Sequence, residues 1–142
     1  MQYLKYLLIV AVLSVLTACG HGGPGRPGDG DAMENALTAG LNGTTVTRSM
    51  REPLMLTLVK NTKLGGEWKV VSYDSNVIQF MDPHPRRYNK VMVGPLANLM
   101  YCDWMLRAVQ PGQTTLKMEY VSDDGSEVYE SFQVTLIIKE KD

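Results

Sequence analysis

Two cysteines and two histidines are the residues of this 142-residue chain that could supply a nucleophile and its base. Cys102 lies in the alternating run "LMYCDWMLRAV", where burial would raise the thiol pKa and leave it unreactive. His21 lies in a Gly/Pro-rich stretch and His84 in "DPHPRR", so neither is expected to activate a thiol. We see no Ser/His/Asp arrangement, metal-ligand spacing or phosphate-cradling glycine loop. The sequence therefore predicts a protein that is not an enzyme and that needs no cofactor or metal.

Cys19 has a different setting, because it follows an N-terminal apolar segment. Lys5 precedes an apolar run at residues 6–13, which resumes at 15–16 and is too short for the roughly 20 apolar residues of a membrane span. This is the pattern of a secretory signal. The segment ends "LTAC", and small residues before a cysteine resemble the lipobox of bacterial lipoproteins. An ordinary signal peptide, with Cys19 incidental, is the alternative.

The lipobox resemblance implies cleavage before Cys19, which then becomes an acylated first residue carrying palmitate-like chains. Each buried CH₂ contributes about 0.8 kcal/mol, so several chains together hold a protein firmly in a membrane. Gly20, directly after the cysteine, implies sorting to the outer membrane in a host that has one. The expected location is therefore the cell envelope.

These features divide the chain into three parts. Residues 1–18 are the expected signal peptide, residues 19–43 a lipidated N-terminus with a Gly/Pro linker, and residues 44–142 a folded domain. The stretch "GHGGPGRPGDG" cannot bury a core and would span about 20 Å as a tether. Residues 31–40 would form a short helix or continue the linker, since Asp31 and Glu34 have capping-box spacing.

Charge and cysteine content narrow the possible partners and the means of stabilisation. The chain has a net charge of −1, without a concentrated basic face, which argues against nucleic acid. Acylation of Cys19 would leave Cys102 without a disulfide partner. Packing must therefore hold the domain together.

From residue 44 onward the apolar period is two, which indicates strands. The predicted strands are 44–48, 54–60, 68–73, 77–81, 99–109, 114–121 and 132–139. The sets expected to face inward are Leu54, Leu56 and Leu58; Trp68 and Val70; Met100, Cys102, Trp104, Leu106 and Ala108; Leu116, Met118 and Tyr120; and Phe132, Val134, Leu136 and Ile138. Tyr101, Asp103 and Arg107 are expected on the opposite face.

The connections have turn chemistry of their own. Asp124-Gly125 favours a hairpin, and Pro111-Gly112 favours a type II turn. Residues 82–90 have no strand pattern, and "DPHPRRY" within them is expected to be a solvated connection or a basic contact to anionic lipid or a partner. Short strands with frequent turns predict an all-β fold, an immunoglobulin-like antiparallel β-sandwich of about seven strands. A closed barrel is the alternative.

Several local motifs resemble one family, the chagasin-like inhibitors of papain-like cysteine peptidases. "NTKLGGEWKVVSYDSNVI" resembles a segment of that family reading Asn-Pro-Thr-Thr-Gly, two residues, then Trp and a strand, with Asn61, Gly65 and Trp68 in register. "WMLRAVQPGQTTLKMEY" is similar to its aromatic strand, Pro-Gly turn and following strand, and "FQVTLII" to its last strand. The resemblance covers residues 44–139, and the lipobox makes this a bacterial lipoprotein version.

The resemblance implies a function and a set of contact residues. Such inhibitors are immunoglobulin-like sandwiches that insert three loops from one end into the peptidase cleft. The implied peptidase-binding residues are Asn61, Thr62, Lys63, Leu64 and Gly65 in the first loop; Gly94, Pro95, Leu96 and Ala97 in the second; and Ser122, Asp123 and Asp124 in the third. Within the first loop, Asn61 would hold the loop's shape, Gly65 would permit a turn, and Lys63 and Leu64 would face the partner.

The three loops also depart from the family's pattern. Thr62, Lys63 and Leu64 replace the Pro and both Thr of the first loop, and the second keeps one glycine where the family has Gly-x-Gly-Gly. The third lacks the Arg-Pro-Trp of the family and carries an acidic tip. Two functions are compatible with this pattern: a lipid-anchored, monomeric inhibitor of a papain-like cysteine peptidase, or a non-inhibitory immunoglobulin-like adaptor that binds another envelope protein.

Overall fold

The computed structural model describes residues 35–88, 94 and 97–141, and this part of the chain is almost entirely β. The strands in it are β1 (Leu37–Thr38), β2 (Thr45–Ser49), β3 (Leu54–Asn61), β4 (Glu67–Ser72), β5 (Ile78–Phe80), β6 (Arg86–Tyr88), β7 (Leu99–Ala108), β8 (Gly112–Val121) and β9 (Val128–Lys139). A 3-10 helix covers Ala39–Leu41. No helix within these ranges is long and apolar enough to cross a membrane. The predicted signal peptide, Cys19 and the Gly/Pro linker lie outside the described residues.

Two sheets face each other across one core. The first has the order β1-β3-β7-β5, with β6 also paired to β7, and the second has the order β2-β9-β8-β4. β5 and β6 lie on successive parts of β7, since Ile78 pairs with Ala108 and Tyr88 with Tyr101. The predicted sandwich is therefore confirmed, and the barrel alternative is wrong.

The sheets are mixed, whereas the sequence predicted purely antiparallel pairing. β1 runs parallel to β3 in one sheet, and β2 runs parallel to β9 in the other. The remaining pairs are antiparallel. The parallel pairs arise because the N-terminal segment contributes one short strand to an edge of each sheet, which no hairpin rule constrains.

Alternating residues of the long strands fill the core, as the period of two predicts. The buried apolar side chains are Leu37, Leu54, Leu56, Leu58, Trp68, Val77, Ile78, Cys102, Trp104, Leu106, Leu116, Met118, Tyr120, Val121, Phe132, Val134, Leu136 and Ile138. Val70 was expected among them, but its side chain is 41% exposed. It lies in the edge strand β4, whose pairing with β8 shifts between Val70 and Ser72, so the opposite sheet does not cover it.

The short helix expected over residues 31–40 does not form in its described part. Leu37 and Thr38 belong to β1, and only Ala39–Leu41 is helical, as a 3-10 turn. Leu37 is fully buried and pairs with Leu56 of β3. A helix of under three turns is marginal in water, so burying Leu37 against a sheet outweighs it. The sandwich therefore starts at residue 37, within the segment assigned to the linker.

The connection between β7 and β8 also differs from the expectation. Gly112 has a φ of 157° and is the first residue of β8, whereas a type II turn needs about +80° at that position. β7 and β8 belong to different sheets. The chain crosses the sandwich here, so the local preference of Pro111-Gly112 for a reversing turn is not realised.

Candidate functional site

Three connections leave the sandwich at the same end. The first loop, residues 62–66, joins β3 to β4; the second, residues 89–98, joins β6 to β7; and the third, residues 122–127, joins β8 to β9. β3 and β6 both run antiparallel to β7, so their C-terminal ends lie together where β7 begins. Glu67 at the start of β4 pairs with Val121 at the end of β8, which places the third loop beside the first. The peptidase-binding residues expected from sequence lie in these loops or at their borders.

Direct contacts join the first loop to the second. The backbone N–H of Thr62 donates to the Asn98 carbonyl oxygen at 2.8 Å. The Thr62 hydroxyl donates to the same oxygen at 3.1 Å. In the second loop, Gly94 has a φ of 84° and its carbonyl accepts the Ala97 N–H at 3.1 Å. Pro95 and Leu96 lie outside the described residues.

Asn61 organises the first loop locally, as the sequence predicted. Its side-chain oxygen accepts the Lys63 N–H at 3.0 Å, and its carbonyl accepts the Leu64 N–H at 3.0 Å. This is an Asx turn closed by a second turn of the backbone. Gly65 and Gly66 then reverse the chain with φ values of 67° and 77°, a region that favours glycine.

Side chains from the sandwich hold the first loop from below. The Tyr120 hydroxyl contacts the carbonyl oxygens of Asn61, at 3.0 Å, and of Gly65. Burial raises the pKa of Tyr120, so its hydroxyl remains a hydrogen-bond donor across the neutral range. The Tyr120 ring stacks on Trp68 with centroids 5.5 Å apart, and the Trp68 indole N–H donates to the Val59 carbonyl at 3.0 Å. The loop therefore rests on a packed aromatic pair.

The third loop braces the first through Asp123. One oxygen of its carboxylate, Oδ1, accepts the Gly66 N–H at 2.9 Å. A Cβ added at Gly66 would lie 2.3 Å from the Val121 carbonyl oxygen, and one at Gly65 would lie 2.5 Å from Asp123 Oδ2. A side chain at Gly66 would therefore collide with the backbone of β8, and one at Gly65 would displace the Asp123 carboxylate.

A charge cluster lies beneath the same loop. Lys60 Nζ donates to the Gly66 carbonyl at 3.1 Å and to Glu67 Oε1 at 2.8 Å. Arg87 from β6 contacts the other Glu67 oxygen, Oε2, at 2.9 Å. The Lys60 side chain is only 11% exposed, so its contact with Glu67 is screened less than the exposed pair between Arg87 and Glu67. It connects the end of the first loop to the strand that leads into the second.

The third loop is organised mainly by its own side chains. Asp124 Oδ1 accepts hydrogen bonds from the Ser122 hydroxyl at 2.7 Å and from the Ser126 hydroxyl at 2.7 Å and N–H at 3.0 Å. These donors, Ser122 first, lower the pKa of Asp124 to about 2. Gly125 has a φ of 72°, and the hairpin predicted at Asp124-Gly125 is confirmed.

The first loop presents its central residues to solvent. Thr62 and Lys63 are exposed, and Leu64 is 51% exposed although it is apolar. The Leu64 N–H donates to the Asn61 carbonyl at 3.0 Å, so the backbone behind the side chain is held. An exposed apolar side chain on an ordered backbone is suited to contact a partner, because little conformational freedom is lost on binding.

The remaining candidate nucleophile is inert. The Cys102 side chain is 1% exposed, and burial raises its thiol pKa, as expected from its place in β7. His84 is exposed, in the turn begun by Asp82. Among the described residues there is no group of three or more His, Cys, Asp and Glu placed to hold a metal ion.

One group of residues on the outer face of the first sheet was missed. Residues 82–90 were expected to be irregular, but Arg86–Tyr88 form β6 and pair with β7. Asp103 was expected on a solvent-facing side, but it is only 7% exposed because β6 covers it. The alternation of Arg86 and Tyr88 was the available signal, but three residues are too few to identify a strand.

No protein-family model matches the chain, and no curated protein matches it. A crystal structure of EhICP2, a cysteine protease inhibitor from Entamoeba histolytica, is similar with a TM-score of 0.62 and 19% identity, over 74% of this chain and 95% of that one. The chain has a chagasin-like fold.

A second chain of the same fold extends the comparison. The solution structure of amebosin is similar with a TM-score of 0.52 and 18% identity, over 73% of this chain and 96% of that one. The chagasin-like fold thus accounts for most of the described residues. It confirms the immunoglobulin-like architecture expected from the sequence.

Proposed function

We propose that this protein is a lipid-anchored, non-catalytic inhibitor of papain-like cysteine peptidases in the cell envelope. Its chagasin-like fold supports the proposal, since EhICP2 has that fold and is a cysteine protease inhibitor. The observation that carries it is the convergence of three loops at one end of the sandwich. The first loop is held there by a hydrogen bond that Tyr120 donates and by one that Asp123 accepts.

A loop held in this way suits inhibition for an entropic reason. Immobilising a mobile loop on binding costs about 0.5–1.5 kcal/mol for each rotamer-rich side chain, and more for the backbone. In the first loop, the Asx turn at Asn61 and the Tyr120 contacts have already ordered the backbone. On this proposal, Lys63 and Leu64 enter the peptidase cleft and cover the nucleophile, and the third loop braces them from the side.

Rigidity also explains why such a loop would not be cut. A peptidase cleaves a segment that can extend along its cleft, whereas residues 61–66 are held in a reversed conformation by Gly65 and Gly66. Extending the loop would break the Asp123 contact and separate the Tyr120 hydroxyl from both carbonyls. The complex would therefore be reversible and non-covalent.

The anchoring part of the proposal rests on Cys19 and on the direction in which the chain enters the fold. β1 runs parallel to β3, so the chain enters the sandwich at the end opposite the three loops. Asn35, which precedes β1, contacts Arg48 at that end. A lipid on Cys19 would thus be attached at the pole remote from the loops. The loops would then face away from the membrane, where a soluble peptidase can reach them.

The inhibition is tested with a soluble form of residues 19–142 carrying Cys19→Ser, assayed against papain and cathepsin L. We expect reversible inhibition, and we expect Leu64→Asp to raise Ki by at least about tenfold, because it places a charge in an apolar contact. Met81→Asp is the matched control, since Met81 is also an exposed apolar residue, at 65%, and lies outside the loops. The control should inhibit like the unaltered protein.

Two results would contradict this proposal. Equal Ki values for Leu64→Asp and Met81→Asp would show that the first loop does not enter the cleft. No inhibition at micromolar concentration would reject the inhibitor function and favour an adaptor that binds another envelope protein.

The anchor is tested separately in cells, by incorporation of labelled palmitate and by membrane fractionation. The unaltered protein should take up label and sediment with the outer membrane, and Cys19→Ala should do neither. Retention of label in Cys19→Ala would show that Cys19 is not the acylated residue.

A further inference from the structure

Beside the second loop, the outer face of the first sheet carries an ordered group of aromatic and arginine side chains. Tyr88 of β6 and Tyr101 of β7 stack with ring centroids 5.6 Å apart and planes at 17°. The Arg86 guanidinium lies over the Tyr88 ring, with Cζ 5.4 Å from the centroid. We call Arg86, Tyr88 and Tyr101 the aromatic–arginine platform.

A buried carboxylate supports the platform from within the sheet. Asp103 Oδ1 accepts the Thr57 hydroxyl at 2.8 Å, and Asp103 Oδ2 lies 3.8 Å from Arg86. Burial, and after it the charge of Asp103 and a hydrogen bond to its side chain, raises the pKa of Tyr88. Asp103 is 7% exposed although its strand position faces outward. Burying a carboxylate is costly, so its contacts fix the platform in one arrangement.

The platform is continuous with the loop end of the sandwich. Tyr88 is the last residue of β6 and directly precedes the second loop. β7 begins directly after that loop, and Tyr101 is its third residue. Arg87, the neighbour of both Arg86 and Tyr88, contacts Glu67 beneath the first loop. A partner that covers the first and second loops would therefore reach the platform without a gap.

We propose that the aromatic–arginine platform is a second contact surface for the target peptidase, and that it binds a carboxylate side chain flanked by apolar surface on the wall of the cleft. This inference rests on the proposed inhibitor function and specifies the chemistry of the partner. The Arg86 side chain is 81% exposed, so its donors are available to a carboxylate. The stacked rings offer apolar area that is already ordered.

The residue types agree with this role. Tyrosine and arginine are enriched among the residues that dominate protein interfaces. The third loop, residues 122–127, contains no aromatic residue and no arginine. Its Asp123 carboxylate is engaged with the first loop, and its Asp124 carboxylate with Ser122 and Ser126. The platform thus supplies, on the opposite side, the aromatic and arginine side chains that the third loop lacks.

The alternative is that these side chains only attach β6 to the sheet. Arg86→Glu separates the two roles, because it reverses an exposed charge and leaves both rings in place. We expect Ki against papain or cathepsin L to rise by at least about tenfold, mainly through slower association that depends on ionic strength. Arg51→Glu, an exposed arginine at the opposite pole, should leave Ki unchanged.

Tyr88→Leu gives a second measurement that keeps apolar bulk but removes the ring and hydroxyl. Its Ki should rise by about three- to tenfold. Melting temperatures are recorded for each variant, since a purely structural platform would shift the melting temperature and leave Ki unchanged.

The outcomes of this experiment are distinct. If the unaltered protein inhibits, and Arg86→Glu and Tyr88→Leu inhibit equally well, the inference is wrong and the proposed function stands. If the unaltered protein inhibits neither enzyme, the function and the inference that rests on it are both rejected. Weaker inhibition by both variants, with Arg51→Glu unaffected, supports the platform as a contact surface.

Discussion

The first and third loops lie side by side and are stabilised in different ways. The first, residues 62–66, takes its hydrogen bonds largely from side chains of other strands and loops, notably Tyr120, Asp123 and Lys60. The third, residues 122–127, is closed by Asp124 on Ser122 and Ser126, within six residues. The first loop therefore depends on the tertiary structure, whereas the third has a shape of its own.

Because of this difference, the first loop depends on the third and not the reverse. The self-contained third loop supplies Asp123 to the first, but the first supplies no comparable side chain in return. The loop that presents exposed Leu64 is thus the dependent one. Damage to the supporting residues should disorder the first loop while the third remains intact, and the following predictions test that asymmetry.

The largest effect is expected from Gly66→Ala. Gly66 has a φ of 77°, and a Cβ there would lie 2.3 Å from the Val121 carbonyl oxygen. The positive φ costs about 1–2 kcal/mol for a residue with a side chain, and forcing β8 to move costs about 1–3 kcal/mol more. The free energy of unfolding, measured by denaturant titration, should fall by the sum.

Gly125→Ala is the matched control in the third loop. Gly125 has a nearly equal φ of 72°, but nothing lies within 4 Å of the added Cβ. Only the backbone term of about 1–2 kcal/mol should appear. Equal losses for the two variants would show that the close approach of the first loop to the end of β8 is not present in solution.

A smaller effect is expected from Tyr120→Phe, which keeps the ring on Trp68 but removes the hydroxyl between two carbonyls. The Gly65 carbonyl then loses this donor, whereas the Asn61 carbonyl keeps the Leu64 N–H, and the loss should cost about 1–3 kcal/mol. Amide hydrogen exchange at Lys63 and Leu64 should accelerate more than exchange at Ser126. Tyr129→Phe is the control, because its hydroxyl makes only a 3.4 Å contact with Leu64 and should change exchange little. Equal acceleration in the two loops would contradict the proposed dependence.

The smallest effect concerns acid. The hydrogen bonds to Asp124 depress its pKa from the ordinary value of 3.8 to about 2 in the folded protein. Because the folded pKa is depressed, this contribution to stability is present above pH 3.8 and is lost as the pH falls through about 2. Carboxyl NMR titration should give the low value.

Ser122→Ala and Ser126→Ala should each raise the Asp124 pKa, since each removes a donor. Amide signals of the first loop should respond weakly to this titration, because Asp124 contacts only its own loop. An ordinary pKa near 3.8 for Asp124 would show that the third loop is not closed by its own side chains.

Long strands and their buried positions were predictable from the sequence, and so was the short strand β5, but β1 and β6 were not. Leu54, Leu56 and Leu58 alternate over enough residues to identify the inward face of β3, and all are buried. β1 and β6, of two and three residues, carry no periodic signal of their own. Their pairing with β3 and β7 exists only because a longer strand is already in place.

The candidate site shows the same division. The Asx turn at Asn61 involves only neighbours in sequence, and it agrees with the shape-holding role that the family resemblance implied for Asn61. The contact between Asp123 and Gly66 joins residues 57 positions apart, and no local sequence pattern predicts it. The sequence likewise predicts Asp103 to be a solvent-facing strand residue, whereas in the structure β6 covers it.

The sequence by itself determined the sheet faces, the hairpin at Asp124-Gly125 and the local turn at Asn61, because each depends on residues within a few positions of one another. Only the tertiary structure decided that the loops meet at one end, that Tyr120 and Asp123 hold the first of them, and that Arg86, Tyr88 and Tyr101 stand beside the second. These arrangements depend on strand register across two sheets, and register is set by packing of the whole core rather than by any one segment.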